Sequence, residues 1–192
     1  MISSVPASDE GRVLATLTLA FAADPVERWM YPESSDYLQH FPGFLAAFGG
    51  PAFENDGVWQ TADYGAVSMW LPPDTIDDAE PILTSLTSTL AKEKLVDTLA
   101  VLDQMVAAHP TYPHWYLPWL GVDAAFQGRG VGGILMTESL RAVDETSLPA
   151  YLETPNPRTI PFYERHGFRV TGATRTEECP PVTFMLREPA SA

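Results

Sequence analysis

The stretch HWYLPWLGVDAAFQGRGVGGILMTESLRAV, residues 114–143, constrains this chain more than any other. An apolar run ends at Val122-Asp123, a glycine-rich loop follows, and residues 130–145 read as a helix. By period and composition this is a buried strand, a loop and a helix. Gly128, Gly130 and Gly133 spell GxGxxG, and Glu153 stands twenty residues beyond Gly133, where a dinucleotide fingerprint places its ribose-binding acid. Gln127, Gly128, Arg129, Gly130, Val131 and Gly132 also spell QxxGxG, a different phosphate cradle. In either form glycines let the backbone approach phosphate oxygens, and the amides of the helix start point at them. Arg129 adds one mobile positive charge. A plain glycine turn is the third reading of the same residues.

Context separates them. A nicotinamide site needs its first glycine almost directly off the strand, and further β-α-β units after the acid. Here DAAFQ intervenes, and the residues after Glu153 suffice for one helix and a hairpin. A kinase-type phosphate loop is excluded, because there is no GxxxxGK[ST] and the only lysines are Lys92 and Lys94.

The rest of the chain reads as one mixed α/β domain over residues 1–192. Ser8 is placed to cap a first helix carrying Val13, Leu17 and Phe21 on one face and ending near Ala23. A loop or broken helix follows in DPVERWMYPES, then a helical region interrupted at Pro42 and stopped by Gly49-Gly50. Two β-rich runs flank Asp63-Tyr64-Gly65, a hairpin signal. A long helical stretch from about Asp78 to His109 divides in two. AYLE is a second buried strand, RTIPFYERHGF a short helix ended at Gly167, and RVTGATR with VTFMLRE a closing antiparallel pair.

Composition narrows the function. With 25 acidic and 11 basic residues the net charge is −14, a surface that repels nucleic-acid phosphates and anionic membranes. No window is long enough for a membrane span. Asp9 and Glu10 precede the apolar RVLATLTLAFAADP, where a signal peptide needs positive charge. Cys179 is the single cysteine, so no internal disulfide forms; a cytoplasmic protein is expected. His40, His109, His114 and His166 show no metal-ligand spacing, and His109 and His114 flank prolines in a loop. There is no GxSxG, no HExxH and no Cys-His pairing.

The strand–QGRGVG–helix unit followed by AYLETPNPRTIPFYERHGFRV resembles the GCN5-related N-acetyltransferase (GNAT) superfamily. The run LETPNPRTIPFYERHGF is similar, almost position by position, to the LET-x-x-x-R-x-x-PFYER-x-GF of puromycin N-acetyltransferase and its bacterial relatives. TLTLAFAADPVERW and VSMWLPP extend the likeness over nearly the whole chain. FAADP departs from it, because puromycin N-acetyltransferase carries an aromatic before the proline.

The resemblance implies a GNAT fold: a mixed, mostly antiparallel twisted sheet with a splayed parallel strand pair, flanked by helices. Residues 114–187 would form the acetyl-CoA-binding core and the N-terminal half the acceptor site. It further implies transfer of an acetyl group to a small primary amine in a ternary complex, without a metal, by a monomer or a homodimer. Backbone groups of Leu120, Gly121 and Val122 would pair with pantetheine, and the amides of Gln127 through Gly132 would hold pyrophosphate. Gln127 equally fits a brace for the loop. Pro118 and Gly121 suit a strand that bulges from its neighbour, because proline removes a ladder donor. Asn156 and Tyr163 have the family's spacing, Asn156 near pantetheine and Tyr163 as the general acid for the leaving thiolate. Packing against Phe162 and Phe168 is the other reading of Tyr163. Glu153, at its strand end, is the candidate base, or a structural acceptor, or an anchor for the substrate ammonium. Asp123 fits a turn former. Asp24, Trp29, Tyr31 and Trp70 would line the acceptor pocket, with the carboxylate on a cation and the aromatics on a ring. A noncatalytic acyl-CoA-binding module on the same fold is the alternative from another functional class.

Overall fold

The computed structural model describes residues 2–73, 75 and 79–189. Seven strands form one sheet: β1 (Ile2–Ser4), β2 (Val58–Thr61), β3 (Ala66–Leu71), β4 (Trp115–Val122), β5 (Ala150–Thr154), β6 (Arg169–Ala173) and β7 (Thr183–Arg187). Their order is β1-β2-β3-β4-β5-β7-β6, and every neighbouring pair is antiparallel except β4 with β5. This is the mixed, mostly antiparallel sheet expected, and it disposes of the doubly wound parallel sheet that a dinucleotide reading requires.

Helices α1 (Glu10–Ala20), α2 (Pro25–Met30), α3 (Ser34–Gly49), α4 (Pro51–Glu54), α5 (Glu80–Thr89), α6 (Lys92–Ala108), α7 (Val131–Asp144) and α8 (Ile160–Arg165) cover the sheet. Val67, Met69 and Leu71 face one core with Leu17 and Phe41, while Trp70 faces a second with Met136, Leu140 and Phe168. β3 is therefore buried on both faces, and its six residues read as a continuous rather than alternating apolar run.

One bulge sets the function of the middle of the sheet. Met69 pairs with Trp119 but Leu71 with Tyr116, so β4 carries an extra residue at Leu117-Pro118. Tyr116 and Trp119 then fall on the same face, both in the first core. Pro118 has no N–H, and β4 pairs with β5 only from Trp115 to Leu117 against Ala150 to Leu152. Beyond that point the two parallel strands part.

On the first-core face, Phe21, Phe41, Phe44 and Phe48 each meet the Trp119 ring steeply, with centroids 5.2, 5.9, 6.0 and 5.7 Å away. Edge-on packing of this kind suits the ring quadrupoles. It also explains why α3 runs through Pro42 instead of breaking there. The lost hydrogen bond would have gone to the carbonyl of Leu38, a residue in solvent, while Tyr37, Phe41, Phe44 and Leu45 hold the opposite side in the core.

Other boundaries differ by a turn. α1 starts at Glu10 without a side-chain cap, Ser8 lies in a 3-10 turn at Ala7–Asp9, and the Asp9 carboxylate accepts from the Tyr64 hydroxyl. α1 stops at Ala20, because the chain tightens until Asp24 caps α2, its Oδ1 accepting from Val26 N at 3.0 Å and Glu27 N at 3.4 Å. The long middle helix does divide, into α5 and α6; its expected start at Asp78 lies outside the described residues. The hairpin at Asp63-Tyr64 forms as expected, both residues taking positive φ. Asp123 turns the chain after β4, with Oδ1 accepting from Ala125 N at 2.8 Å. At the far edge Arg187 grips both carboxylate oxygens of Asp144 at 2.6 and 2.8 Å and donates to the His166 carbonyl at 3.0 Å, tying β7 to α7 and α8.

α1 rests directly on β4 at Gly121, where a Cβ would stand 2.7 Å from Ala20 Cβ and 2.9 Å from Leu17 Cδ2. The Ala20 Cβ cannot rotate away. Gly121→Val is therefore expected to cost about 1–3 kcal/mol through overpacking, lowering Tm by roughly 2–4 °C for each kcal/mol. Thermal unfolding checks this, and an unchanged Tm would show that α1 is not seated there.

Candidate active site

A cleft of about 540 Å³ follows from the parting of β4 and β5. Leu120, Gly121 and Val122 line it from one strand, and Glu153 and Thr154 from the other. Leu120 to Val122 have no partner strand on the β5 side, so backbone groups there, apart from the Val122 carbonyl that Gln127 bonds, lack a strand partner toward the cleft.

At one end stands the glycine loop. Gly128 and Gly130 have φ of +72° and +76°, and a Cβ at either would point into open space. Gly130 caps α7 in the left-handed conformation, which leaves the first-turn amides of that helix unbonded and outward. Gly132 lines the cleft and lets α7 approach β4, since a Cβ there would meet Val122 Cγ2 at 2.9 Å. In a chain of 25 acidic residues, none falls between Asp123 and Glu138, and Arg129 lies in that interval. Amides, helix dipole and a lone arginine fit a phosphate-bearing ligand. Gln127 lines the cleft and also braces the loop, donating to the Val122 carbonyl at 3.1 Å. Gly128, Arg129 and Gly130 are exposed beside the cleft, Val131 is half-buried, and the Arg129 guanidinium lies 5.6 Å over Phe126.

Asn156 and Tyr163 enter from the β5–α8 side and both line the cleft. Asn156 Oδ1 caps the turn by accepting from Arg158 N at 3.1 Å. The Tyr163 ring packs against Phe162 and Phe168, with centroids 5.2 and 6.0 Å away, so it is both core and cleft wall. Burial, and secondarily the charge of Asp24, pushes its phenol above the usual range and keeps the proton on oxygen.

Three carboxylates line the same cleft: Asp24, Glu27 and Glu153. Burial raises Asp24 to about 6, against the two backbone hydrogen bonds that pull it down. Glu27, three residues on and therefore on the same side of α2, is 5% exposed, and its Oε2 is buried without a hydrogen-bond partner. Burial first, then the Asp24 charge, holds it well above the carboxylate range. Met30, Phe44, Phe48, Val101, Leu102 and Met105 supply apolar wall around them.

Glu153 shares the face of Tyr151. Its side chain is 4% exposed, and Oε1 lies 3.2 Å from His109 Nε2 at the end of α6. The approach has ion-pair distance but is too oblique for a hydrogen bond, so both carboxylate oxygens lack a hydrogen-bond partner. The hydroxyls of Tyr116 and Tyr151 are raised by burial and then by the Glu153 charge.

The expected aromatic acceptor wall is not at this cleft. Trp29 packs on the first core with the Lys94 ammonium 4.1 Å over its ring. Tyr31 is 2% exposed and bonds Thr89 Oγ1 at 2.8 Å. Trp70 is 1% exposed in the second core. Of the four residues expected there, Asp24 alone lines the cleft. Glu27, His109 and the apolar wall from α3 and α6 were not singled out; the Asp24-x-x-Glu27 spacing on one helix was the available signal for Glu27. Among the described residues no cluster of His, Cys, Asp and Glu suits a metal, and no helix is long and apolar enough to cross a membrane.

Residues 52–168 match the model of the Acetyltransferase (GNAT) family. An uncharacterized N-acetyltransferase of Schizosaccharomyces pombe is 27% identical over 208 residues, covering 96% of this chain and 82% of that protein. Among solved structures, a histone acetyltransferase HPA2-related acetyltransferase of Corynebacterium glutamicum superposes with a TM-score of 0.68 at 24% identity, over 100% of this chain and 97% of that one. The Drosophila melanogaster polyamine N-acetyltransferase superposes with a TM-score of 0.71 at 14% identity, over 98% and 99%. Arylalkylamine N-acetyltransferase 2 of Aedes aegypti does so at 0.72 and 12% identity, over 98% of each chain. With strands parted at the bulge, a glycine cradle opening α7 and a family match over more than half its length, this chain belongs to the GNAT acetyltransferase family.

Proposed function

We propose that the protein is an acetyl-CoA-dependent N-acetyltransferase that acetylates the primary amine of a small molecule, with both substrates bound together. The observation that carries this reading is one cleft that brings two opposite chemistries together. An acid-free glycine cradle suits the anionic donor, and buried carboxylates in an apolar wall suit a cationic acceptor. The chain acts as one domain, residues 114–187 holding the donor and the N-terminal half much of the acceptor. Related folds act, by their names, on arylalkylamines and on polyamines. The LET-x-x-x-R-x-x-PFYER-x-GF run supports a likeness to puromycin N-acetyltransferase, and FAADP, where that enzyme carries an aromatic before the proline, supports a different acceptor. The lone thiol and the acidic surface suit the cytoplasm.

Acetyl-CoA supplies an activated acyl carbon and a thiolate leaving group. Gln127 through Gly132 bind and orient its phosphates, and Leu120 to Val122 with Asn156 hold the pantetheine arm. Asp24 and Glu27 draw in a cationic group of the acceptor, and the apolar wall excludes water. Glu153 takes a proton from the ammonium so that the nitrogen lone pair is free. Tyr163 gives its phenolic proton to the departing sulfur. Most of the acceleration comes from holding the reacting groups together.

Tyr163→Phe is expected to lower kcat on the order of a hundredfold with KM for acetyl-CoA unchanged. A full rate with an alkylamine would remove Tyr163 from the acid role, and no acetylation by the wild type would leave a binding module. For a cationic acceptor, KM should fall as pH rises through about 6, because the Asp24 carboxyl is neutral below and a carboxylate above. Asp24→Asn should flatten that dependence. Glu27→Gln should raise KM for a cationic acceptor roughly tenfold, the equivalent of one charge-assisted bond. It should also raise Tm without substrate, since a carboxyl that resists ionisation is gone. An unaltered KM with a lower Tm would make Glu27 purely structural.

A further inference from the structure

Two carboxyls of the cleft are buried without a hydrogen-bond partner, and they stand on different elements, Glu27 on α2 and Glu153 on β5. The reading above gives Glu153 the nitrogen that is acetylated. We propose that Glu27 holds a second, non-reacting cation of the same acceptor, so that the substrate is an aliphatic diamine, an inference that rests on the amine-acetylating reading.

The chain itself offers Glu27 no counter-charge. Among the described residues no ion pair reaches it. The Lys94 ammonium lies 4.1 Å over the Trp29 ring, and Arg28 donates to the Pro32 carbonyl at 2.6 Å. The hydroxyls nearby are committed as well. Tyr37 donates to the Thr18 carbonyl at 2.7 Å, Tyr31 bonds Thr89 Oγ1 at 2.8 Å, and Thr98 donates to the Lys94 carbonyl at 2.8 Å. Asp24 differs, since its Oδ1 already accepts from the amides of Val26 and Glu27. A carboxyl left bare in an apolar wall works against folding unless a ligand meets it.

Glu27 and Glu153 face different walls. Burial comes first in raising the phenols of Tyr37, Tyr163, Tyr116 and Tyr151, and the charge that adds to it differs between them. It is Glu27 ahead of Asp24 at Tyr37, Asp24 at Tyr163, and Glu153 at Tyr116 and Tyr151. A cation on Glu27 is thus on the α3 side, while a nitrogen on Glu153 is beside β4 and β5. One ammonium does not serve both carboxyls; an acceptor with a cation at each end does.

The lining also selects what joins the two cations. Val26 and Met30 of α2 border the cleft with Val101, Leu102 and Met105 of α6, side chains that suit methylenes and offer no good hydrogen bond to a hydroxylated arm. Among the described residues that line the cleft, Arg158 is the one basic side chain, and it is exposed on the turn that Asn156 caps. An acceptor ending in a carboxylate would meet Asp24 and Glu27 there in place of a base.

The test compares α,ω-diaminoalkanes of increasing length with the alkylamine and the amino alcohol of the same chain length, at saturating acetyl-CoA. The amino alcohol keeps length and polarity but lacks the second charge. KM for the best diamine should be on the order of tenfold below that of either control, beyond the advantage of two equivalent ends. Its kcat should be similar, because a contact remote from the reacting carbon is made alike before and in the transition state. Glu27→Gln should bring the three KM values together. Equal KM values for diamine and amino alcohol in the wild type would overturn the proposal. So would an equal rise for all three amines in Glu27→Gln, which would put Glu27 at the reacting nitrogen. A second arm needs neither turnover nor a variant: calorimetric binding of the same three amines to wild type loaded with coenzyme A. Binding of the diamine on the order of tenfold tighter supports the subsite, and equal affinities overturn it. If no amine is acetylated yet the diamine binds tighter, the activity reading fails and the cation subsite stands.

Discussion

The missing N–H of Pro118 governs this molecule. A parallel strand pair that stayed in register from Trp115 to Val122 would close the sheet and leave no cleft. Instead β4 gains a residue at Leu117-Pro118 and separates from β5 after three paired positions. The unpaired backbone beyond the bulge is exposed to whatever fills the wedge, and an apolar void there would orphan several peptide groups. The same bulge turns Trp119 onto the face of Tyr116, where Phe21, just past α1, and three phenylalanines of α3 gather around it. One irregularity therefore opens the site and fastens the helices that wall it.

Stability and function pull against each other on α2. A carboxyl whose folded pKa lies above its unfolded value favours the folded state while it is protonated. For Asp24 that contribution is complete below the unfolded value of 3.8 and is lost as pH rises to about 6, above which the buried charge works against folding. Glu27 acts in the same direction over a higher range. Asp24 caps α2, a role that an asparagine also fills, and Glu27 Oε2 makes no hydrogen bond, so the fold alone does not call for two carboxyls here. On the proposed reading, an arriving cation would relieve these buried acids by replacing the proton with a charge.

Much of this was legible in the sequence because it is local. The β4–loop–α7–β5–α8 order follows from apolar runs, two glycines and a short motif within about fifty residues. The hairpin at Asp63-Tyr64 is written in four residues. Where tertiary packing decides, local reading fails. Pro42 ought to stop a helix, but the aromatic face of α3 outweighs one lost hydrogen bond to a solvated carbonyl. Trp29, Tyr31 and Trp70 have the composition of a ligand wall and the burial of a core, and no one-dimensional pattern distinguishes the two. The pairing of His109 with Glu153 depends on α6 ending where β5 ends, which only the assembled sheet brings about.

The glycine loop shows how charge placement completes what spacing leaves open. GxGxxG and QxxGxG coexist in the same residues, and both describe amides aimed at phosphate. What distinguishes the site is its surroundings. A net charge of −14 would ordinarily repel a polyanion, yet the acids withdraw from the whole interval between Asp123 and Glu138, while Asp24, Glu27 and Glu153 line the same cleft, largely buried. On the proposed reading, a donor carrying phosphates and an acceptor carrying ammonium would be drawn to different parts of the cleft before either makes a specific contact. The fields act over roughly the Debye length of about 8 Å at physiological salt. Within a cleft of this size, that would be enough to set the orientation in which two such substrates meet.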